Sequence, residues 1–244
     1  MSLKRKDLIR EKMILNNKTI SLVRLDKFYS LGNLNINNYK LRELNELIAN
    51  SQSDEIGLVV SPVSTMPNIA GHLARGYGKN LTIYYTKKNN SILEFESNFS
   101  DVKLIYKPGM YSVAKSIAKK EFRGELLFKN ESVIYRDVIE DTKCMKFLDG
   151  KNIHIIVGSG FTFNSLLIGF EKYNIRPKKI TAYRVGMQVN VGSFLYKINL
   201  VDLTKIWKYE DEVDMMFNPN YEAKMLKYCA STDNFEDEDF FLII

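Results

Sequence analysis

The chain has 244 residues, of which 45% are hydrophobic, 12% aromatic and 26% charged, and this excludes disorder as its main state, because disordered chains carry too little apolar surface to close a core. No run of about 18 apolar residues offers a transmembrane helix, the basic start from Met1 to Asp7 lacks the apolar stretch of a secretory signal, and two cysteines, Cys144 and Cys229, make neither a disulfide framework nor a zinc set. The net charge of +6 permits contact with a polyanion such as DNA without establishing it, since the lysine doublets are scattered and no nucleic-acid motif accompanies them. A cytoplasmic protein with free thiols is expected.

The predicted elements alternate. Lys40 to Ala49 places Leu41, Leu44, Leu47 and Ile48 on one helical face. Ile56 to Val60 is a short apolar run that suits a buried parallel strand. A loop from Ser61 to Thr65 leads into a helix from Met66 to Tyr77, where Pro67 is tolerated in the first turn. Strands follow at Leu81–Tyr85 and Val102–Tyr106, then a helix through Ser112 to Lys120. Ile153 to Val157 is a strand, Asn164 to Tyr173 a helix, and Lys179 to Val185 a strand. A polar turn at 218–220 starts a helix with Tyr221 and Glu222 in its first turn. An acidic stretch from Asp233 to Asp239 then runs into a buried strand from Phe240 to Ile244. Strand, loop and helix in repeating order predict an α/β fold with mainly parallel sheets and flanking helices. Ligands in such sheets bind outside the carboxyl ends of the strands, which directs attention to the loops after Val60 and Val157.

Three local signals carry chemistry. Gly158-Ser159-Gly160-Phe161-Thr162 follows a strand and opens a helix, so clustered N–H groups and the helix dipole suit a phosphate. An ordinary tight turn reads the same way, and the loop has neither the Walker A ending nor the full dinucleotide fingerprint. Lys40 at a helix start meets the unfavourable end of the dipole, which lowers a lysine pKa and favours an amine nucleophile; a solvated lysine is the plain alternative. Tyr221 and Glu222 open the last helix, where packing and dipole compensation would also explain them. His154, inside an apolar strand, is expected to be a satisfied core histidine, and His72 a packing residue.

In this order the three segments resemble the 1-aminocyclopropane-1-carboxylate deaminase and D-cysteine desulfhydrase family, which are fold-type II (tryptophan-synthase-β-like) pyridoxal phosphate enzymes. Lys40-Leu41-Arg42-x-Leu44 resembles the family's Asn-Lys-x-Arg-Lys-Leu. Ile20 to Leu25 resembles its opening strand, and Val60 to Gly78 its Gln-Ser-Asn-His segment with the helix that follows. Gly158 to Thr162 resembles its phosphate loop, and Asn218-Pro219-Asn220-Tyr221-Glu222-Ala223-Lys224 its Asp-Pro-Val-Tyr-Glu-Gly-Lys. The resemblance implies a two-lobed fold. The large lobe would combine residues 1–50 and 147–244, the small lobe would span 51–146, and pyridoxal 5'-phosphate would lie between them. It implies Lys40 as the Schiff-base lysine, Asn68 on the cofactor's ring oxygen and Gly158, Ser159, Gly160, Phe161 and Thr162 on its phosphate. Glu222 would face the pyridine nitrogen, Tyr221 would act beside the substrate as acid, base or positioning group, and Ser64 and Thr65 would hold the substrate.

The chain departs from the family pattern. Pro67 stands where the family has a serine, the stretch from Val185 to Tyr221 is shorter, and no Thr-Gly-Gly follows Ile244. The expected activity is therefore a pyridoxal phosphate enzyme of lyase, deaminase or decarboxylase type. Its substrate would be a small amino acid or an amine carried on DNA, as in compact bacteriophage members of this fold. A homodimer with no membrane attachment is expected. A phosphoribosyltransferase-like protein and a degenerate cofactor-binding protein remain the rival readings.

Overall fold

The computed structural model describes residues 3–5, 7–31, 41–60, 64, 66–87, 98–99, 101–127, 132–158, 160–186, 197–205, 217 and 221–244. It divides into two compact units, one of Met1–Lys4, Tyr29–Ile36 and Lys40–Glu131, the other of Arg5–Phe28, Asn37–Tyr39 and Ser132–Ile244.

The first unit pairs β1 (Leu3–Arg5) with β4 (Tyr29–Leu31) and builds a parallel sheet from β5 (Glu55–Val60), β6 (Asn80–Tyr85), β7 (Lys103–Tyr106) and β8 (Glu125–Leu126), in the order β7-β6-β5-β8. Ile56, Gly57 and Leu58 of β5 and Leu81, Thr82, Ile83 and Tyr84 of β6 are all buried, as expected of strands covered on both faces. The helices α1 (Leu41–Asn50), α2 (Met66–Tyr77) and α3 (Tyr111–Glu121) belong to this unit. Pro67 sits in the first turn of α2, where its missing N–H costs nothing. His72 meets Phe99 edge-on, with ring centroids 4.8 Å apart, which is the packing role expected of it.

The second unit opens with a hairpin. β2 (Ile9–Leu15) and β3 (Lys18–Arg24) run antiparallel around Asn16 and Asn17, whose φ values of 48° and 62° match the left-handed pair of a type I′ turn. The six-stranded sheet has the order β11-β10-β9-β12-β3-β2, with β9 (Asn152–Val157), β10 (Lys179–Arg184), β11 (Ile198–Asp202) and β12 (Phe240–Ile243) all parallel to β3. β12 therefore lies between β9 and the hairpin. The helices are α4 (Ser132–Asp141), which packs on α5 (Phe161–Lys172), and α6 (Glu222–Thr232). Ala223, Met225, Leu226 and Cys229 of α6 join Ile20, Ile156, Tyr183 and Phe241 in one buried cluster. Residues alternate along a strand, so Ile155, Ala182 and Leu242 belong to the opposite face, which is also buried. With both faces covered, all five parallel strands direct their carboxyl ends to one edge of the unit.

Candidate functional site

That edge gathers Arg24, Gly158, Gly186 and Ile244 at the ends of β3, β9, β10 and β12. The glycines are there because the segments approach too closely for side chains. A Cβ on Gly186 would stand 2.3 Å from the Gly158 carbonyl oxygen, and one on Gly158 would stand 2.9 Å from Cε1 of Tyr221. The Tyr221 ring thus lies directly against the turn after β9. Gly160 follows with φ of 88°, a left-handed conformation that glycine adopts without strain, and it caps α5. Its carbonyl accepts the Asn164 N–H at 2.9 Å. The first N–H groups of α5 have no partner within the helix and share its positive end, with half-buried Thr162 in the same turn. This is a geometry for an anion.

Glu222 is the first residue of α6 and is only 3% exposed. Its Oε1 accepts the Ile244 N–H at 3.3 Å. Burial pushes its carboxyl up to about 7, the charge of Asp26 adds to that, and the two backbone N–H bonds and Arg24 only partly oppose it. The Tyr221 phenol is also raised, by burial first and by Glu222 second. Arg24 offsets this only in small part, and three of its five N–H donors are held by other carboxylates. Nε and Nη2 bond Asp26 at 2.9 and 2.6 Å, and Nη1 bonds Glu11 at 2.9 Å. Lys27 Nζ holds the other Glu11 oxygen at 2.8 Å. Arg24 and Lys27 thus balance Asp26 and Glu11, and Glu222 is left as a buried carboxyl with no cation of its own in that network.

In the first unit, the Ser64 hydroxyl accepts the Met66 N–H at 3.2 Å, so it caps the start of α2 while keeping its own hydrogen to donate. Asn68 is the third residue of α2, and its Oδ1 is buried with no partner among the described residues. An orphaned buried acceptor of this kind calls for a ligand or water. Of the sequence-predicted residues, the structure brings Gly158, Gly160, Thr162, Tyr221 and Glu222 together in the second unit, and Ser64 and Asn68 in the first. Phe161 is the first residue of α5. Lys40, Thr65 and Ser159 lie outside the described residues. Sequence reasoning missed Gly186 and the Arg24, Glu11 and Asp26 cluster. Gly186 just past an apolar strand was a signal open to use, whereas ion pairs between distant segments leave no spacing to read.

No protein-family model matches the sequence, and no curated protein is similar to it. Solved structures do share its architecture. An ACC deaminase homologue superposes with a TM-score of 0.69 at 15% identity, over 98% of this chain and 89% of that one. Threonine deaminase isoform 2 from Solanum lycopersicum gives 0.61 at 10% identity, over 97% and 79% of the two chains. Maize serine racemase gives 0.60 at 12% identity, over 99% and 88%. The fold is fold type II. The sequence-level expectation of that fold is met across nearly the whole chain, which places the strand ends of the second unit within a fold-type II frame.

Proposed function

We propose that this protein is a pyridoxal 5'-phosphate enzyme acting at the α-carbon of an amino-acid-like substrate, with lyase-type chemistry. The observation that carries the reading is Glu222, a buried carboxyl without a cation in its own network, beside a glycine cradle at a helix start in a fold-type II chain. The residues present suit the cofactor. The close-packed glycines and the helix start of α5 suit its phosphate, Glu222 suits a protonated ring nitrogen, and the Asn68 Oδ1, unpartnered among the described residues, supports a bond to the ring.

When bound, the cofactor supplies an electron sink for charge developing at the α-carbon of an attached amine. The chain's residues do the rest. Lys40 is proposed as the covalent attachment point. Gly158, Ser159, Gly160, Phe161 and Thr162 hold the phosphate, Glu222 keeps a proton on the ring nitrogen, and Asn68 faces the ring. Tyr221, fixed against Gly158, holds or moves a proton beside the substrate. Ser64 and Thr65 position the substrate, the Ser64 oxygen itself accepting the Met66 N–H.

For the substrate, we propose an amine carried on DNA in a base-modification pathway. Pro67 provides no N–H where an anionic group would be gripped, the segment from Val185 to Tyr221 is short, and the net charge is +6. Cys144 and Cys229 are both free thiols, which suits a reducing compartment, and we place the protein in the cytoplasm as a homodimer.

The test is to reconstitute the purified protein with pyridoxal phosphate, record its visible spectrum, reduce with borohydride and map the peptides. A yellow protein whose label maps to Lys40 is expected; labelling of another lysine, or of none, overturns the assignment. Titration with free amino acids and with amine-modified DNA then separates the substrates. Rapid turnover of a free amino acid with no spectral response to DNA would overturn the nucleic-acid reading alone.

A further inference from the structure

The other end of the six-stranded sheet carries a second polar cleft. It lies at the amino ends of β9 and β10, about 20 Å along the strands from Gly158 and Gly186. Its volume is about 360 Å³, the size of a small-molecule site. One wall is made of hydrogen-bond donors. Lys179 and Thr181 alternate along β10, and Asn199 is paired with Thr181 across to β11. Thr181 is only 3% exposed, and Lys179 is exposed and makes no ion pair among the described residues. The facing wall is acidic and comes from the turn after α6. Asp233 there is neutralised by Lys18 at 2.9 Å, which leaves Glu236 and Asp239. Glu236 gives one oxygen to the Asn152 amide at 3.1 Å and keeps the other.

The floor is rigid. His154 Nε2 lies 2.9 Å from Asp239 Oδ2, and its Nδ1 lies 2.8 Å from the Tyr183 hydroxyl. A carboxylate only accepts, so Nε2 carries the hydrogen; in the neutral ring Nδ1 then accepts from Tyr183. The Cys229 thiol donates to Tyr183 at 3.1 Å, and Phe241 stacks on the imidazole at 4.4 Å between centroids. His154 is thus the satisfied core histidine expected from its strand. It also fixes Asp239, whose carboxylate is disfavoured by burial but held ionised by hydrogen bonds from His154, the Glu236 N–H and Asn152. Beside this floor the Asn152 Oδ1 is buried without a partner among the described residues. Tyr228, Val201 and Phe235 add apolar surface.

We propose that this cleft binds a free α-amino acid as its zwitterion, with the carboxylate against Lys179 and Thr181 and the ammonium against Glu236 and the Asn152 amide oxygen. The separation of charge selects that class. A phosphate would bring its charge against Glu236 and Asp239 with only Lys179 to balance it. A divalent ion would find Asp239 already engaged, and no metal-binding group of side chains exists among the described residues. A zwitterion satisfies both walls at once, and each contact is a charge-assisted hydrogen bond. The apolar residues leave room for an aliphatic or aromatic side chain. This inference stands apart from the reading of the strand carboxyl ends and needs no cofactor.

The test is calorimetric titration of the purified protein with L-alanine, L-leucine, L-phenylalanine and L-glutamate, and with the N-acetyl and methyl ester form of each. At least one free amino acid should bind, and its two derivatives should bind at least about tenfold more weakly, since each removes one charged contact. Thr181→Val, which keeps the side-chain shape, and Lys179→Glu, at an exposed position, should each weaken binding by the same factor. These titrations use the cofactor-free protein, so that binding at the strand carboxyl ends through the cofactor does not contribute. If Thr181→Val does not fold, as judged by circular dichroism, Lys179→Glu decides alone. Silence from all four amino acids overturns the proposal. So does equal binding of a derivative, or binding that ignores the variants.

Discussion

The protonation of Glu222 links the candidate site to stability. Its folded pKa of about 7 stands above the ordinary carboxyl value of 4.5, so the folded state holds the proton more tightly than the unfolded chain does. The stabilisation is fully present below pH 4.5 and is lost as pH rises through 7; above that it stays lost. The size is on the order of 3 kcal/mol. Glu222→Gln removes the titration. The melting temperature of the cofactor-free protein should fall between pH 4.5 and 7 more steeply than that of Glu222→Gln, and parallel curves would show that Glu222 titrates normally. Part of this site was open to sequence reading, because strand, glycine turn and helix follow one another from Ile153 to Thr162. The isolation of Glu222 was not. It depends on Arg24 being held by Asp26, two residues on, and by Glu11 across the hairpin.

At the scale of elements, the strands that sequence reading located best are those buried on both faces. β5, β9 and β12 are mostly apolar runs, buried along nearly their whole length. β2 escaped because only every other residue is partly buried, and Ile14 on the outer face is 74% exposed. β11 escaped because it is an edge strand, with Leu200 41% exposed. The hairpin turn was readable in hindsight, since paired asparagines favour left-handed φ. Asn17→Ala should cost about 1 kcal/mol, because alanine lacks the short polar side chain that lets asparagine adopt this left-handed conformation through local hydrogen bonds, whereas Asn17→Gly should cost little. Urea denaturation of the two variants measures the difference, and equal losses would mean that the turn is not type I′.

At the scale of the whole molecule, each unit has its own sheet and its own core, so damage to one strand should stay local. Leu242 is fully buried in β12. Leu242→Ala should cost about 2–5 kcal/mol. Hydrogen exchange should then quicken at the amides of β3, β9 and β12 while β5 and β6 keep their protection. Uniform loss across both sheets would show that the units unfold as one.

The placement of β12 also sets the order in which the protein can be made. More than 200 residues separate Arg24 at the end of β3 from Phe240 at the start of its neighbour. At about 5–20 residues per second, the ribosome needs roughly 10–40 s to cross that interval. For all of that time β3 exposes an unpaired edge, while β5 and β6 can already join within a short span. The nascent hairpin is therefore the segment that most needs shelter from neighbouring chains on the same messenger, and a holdase that covers β3 until Phe240 emerges would raise the yield of folded protein.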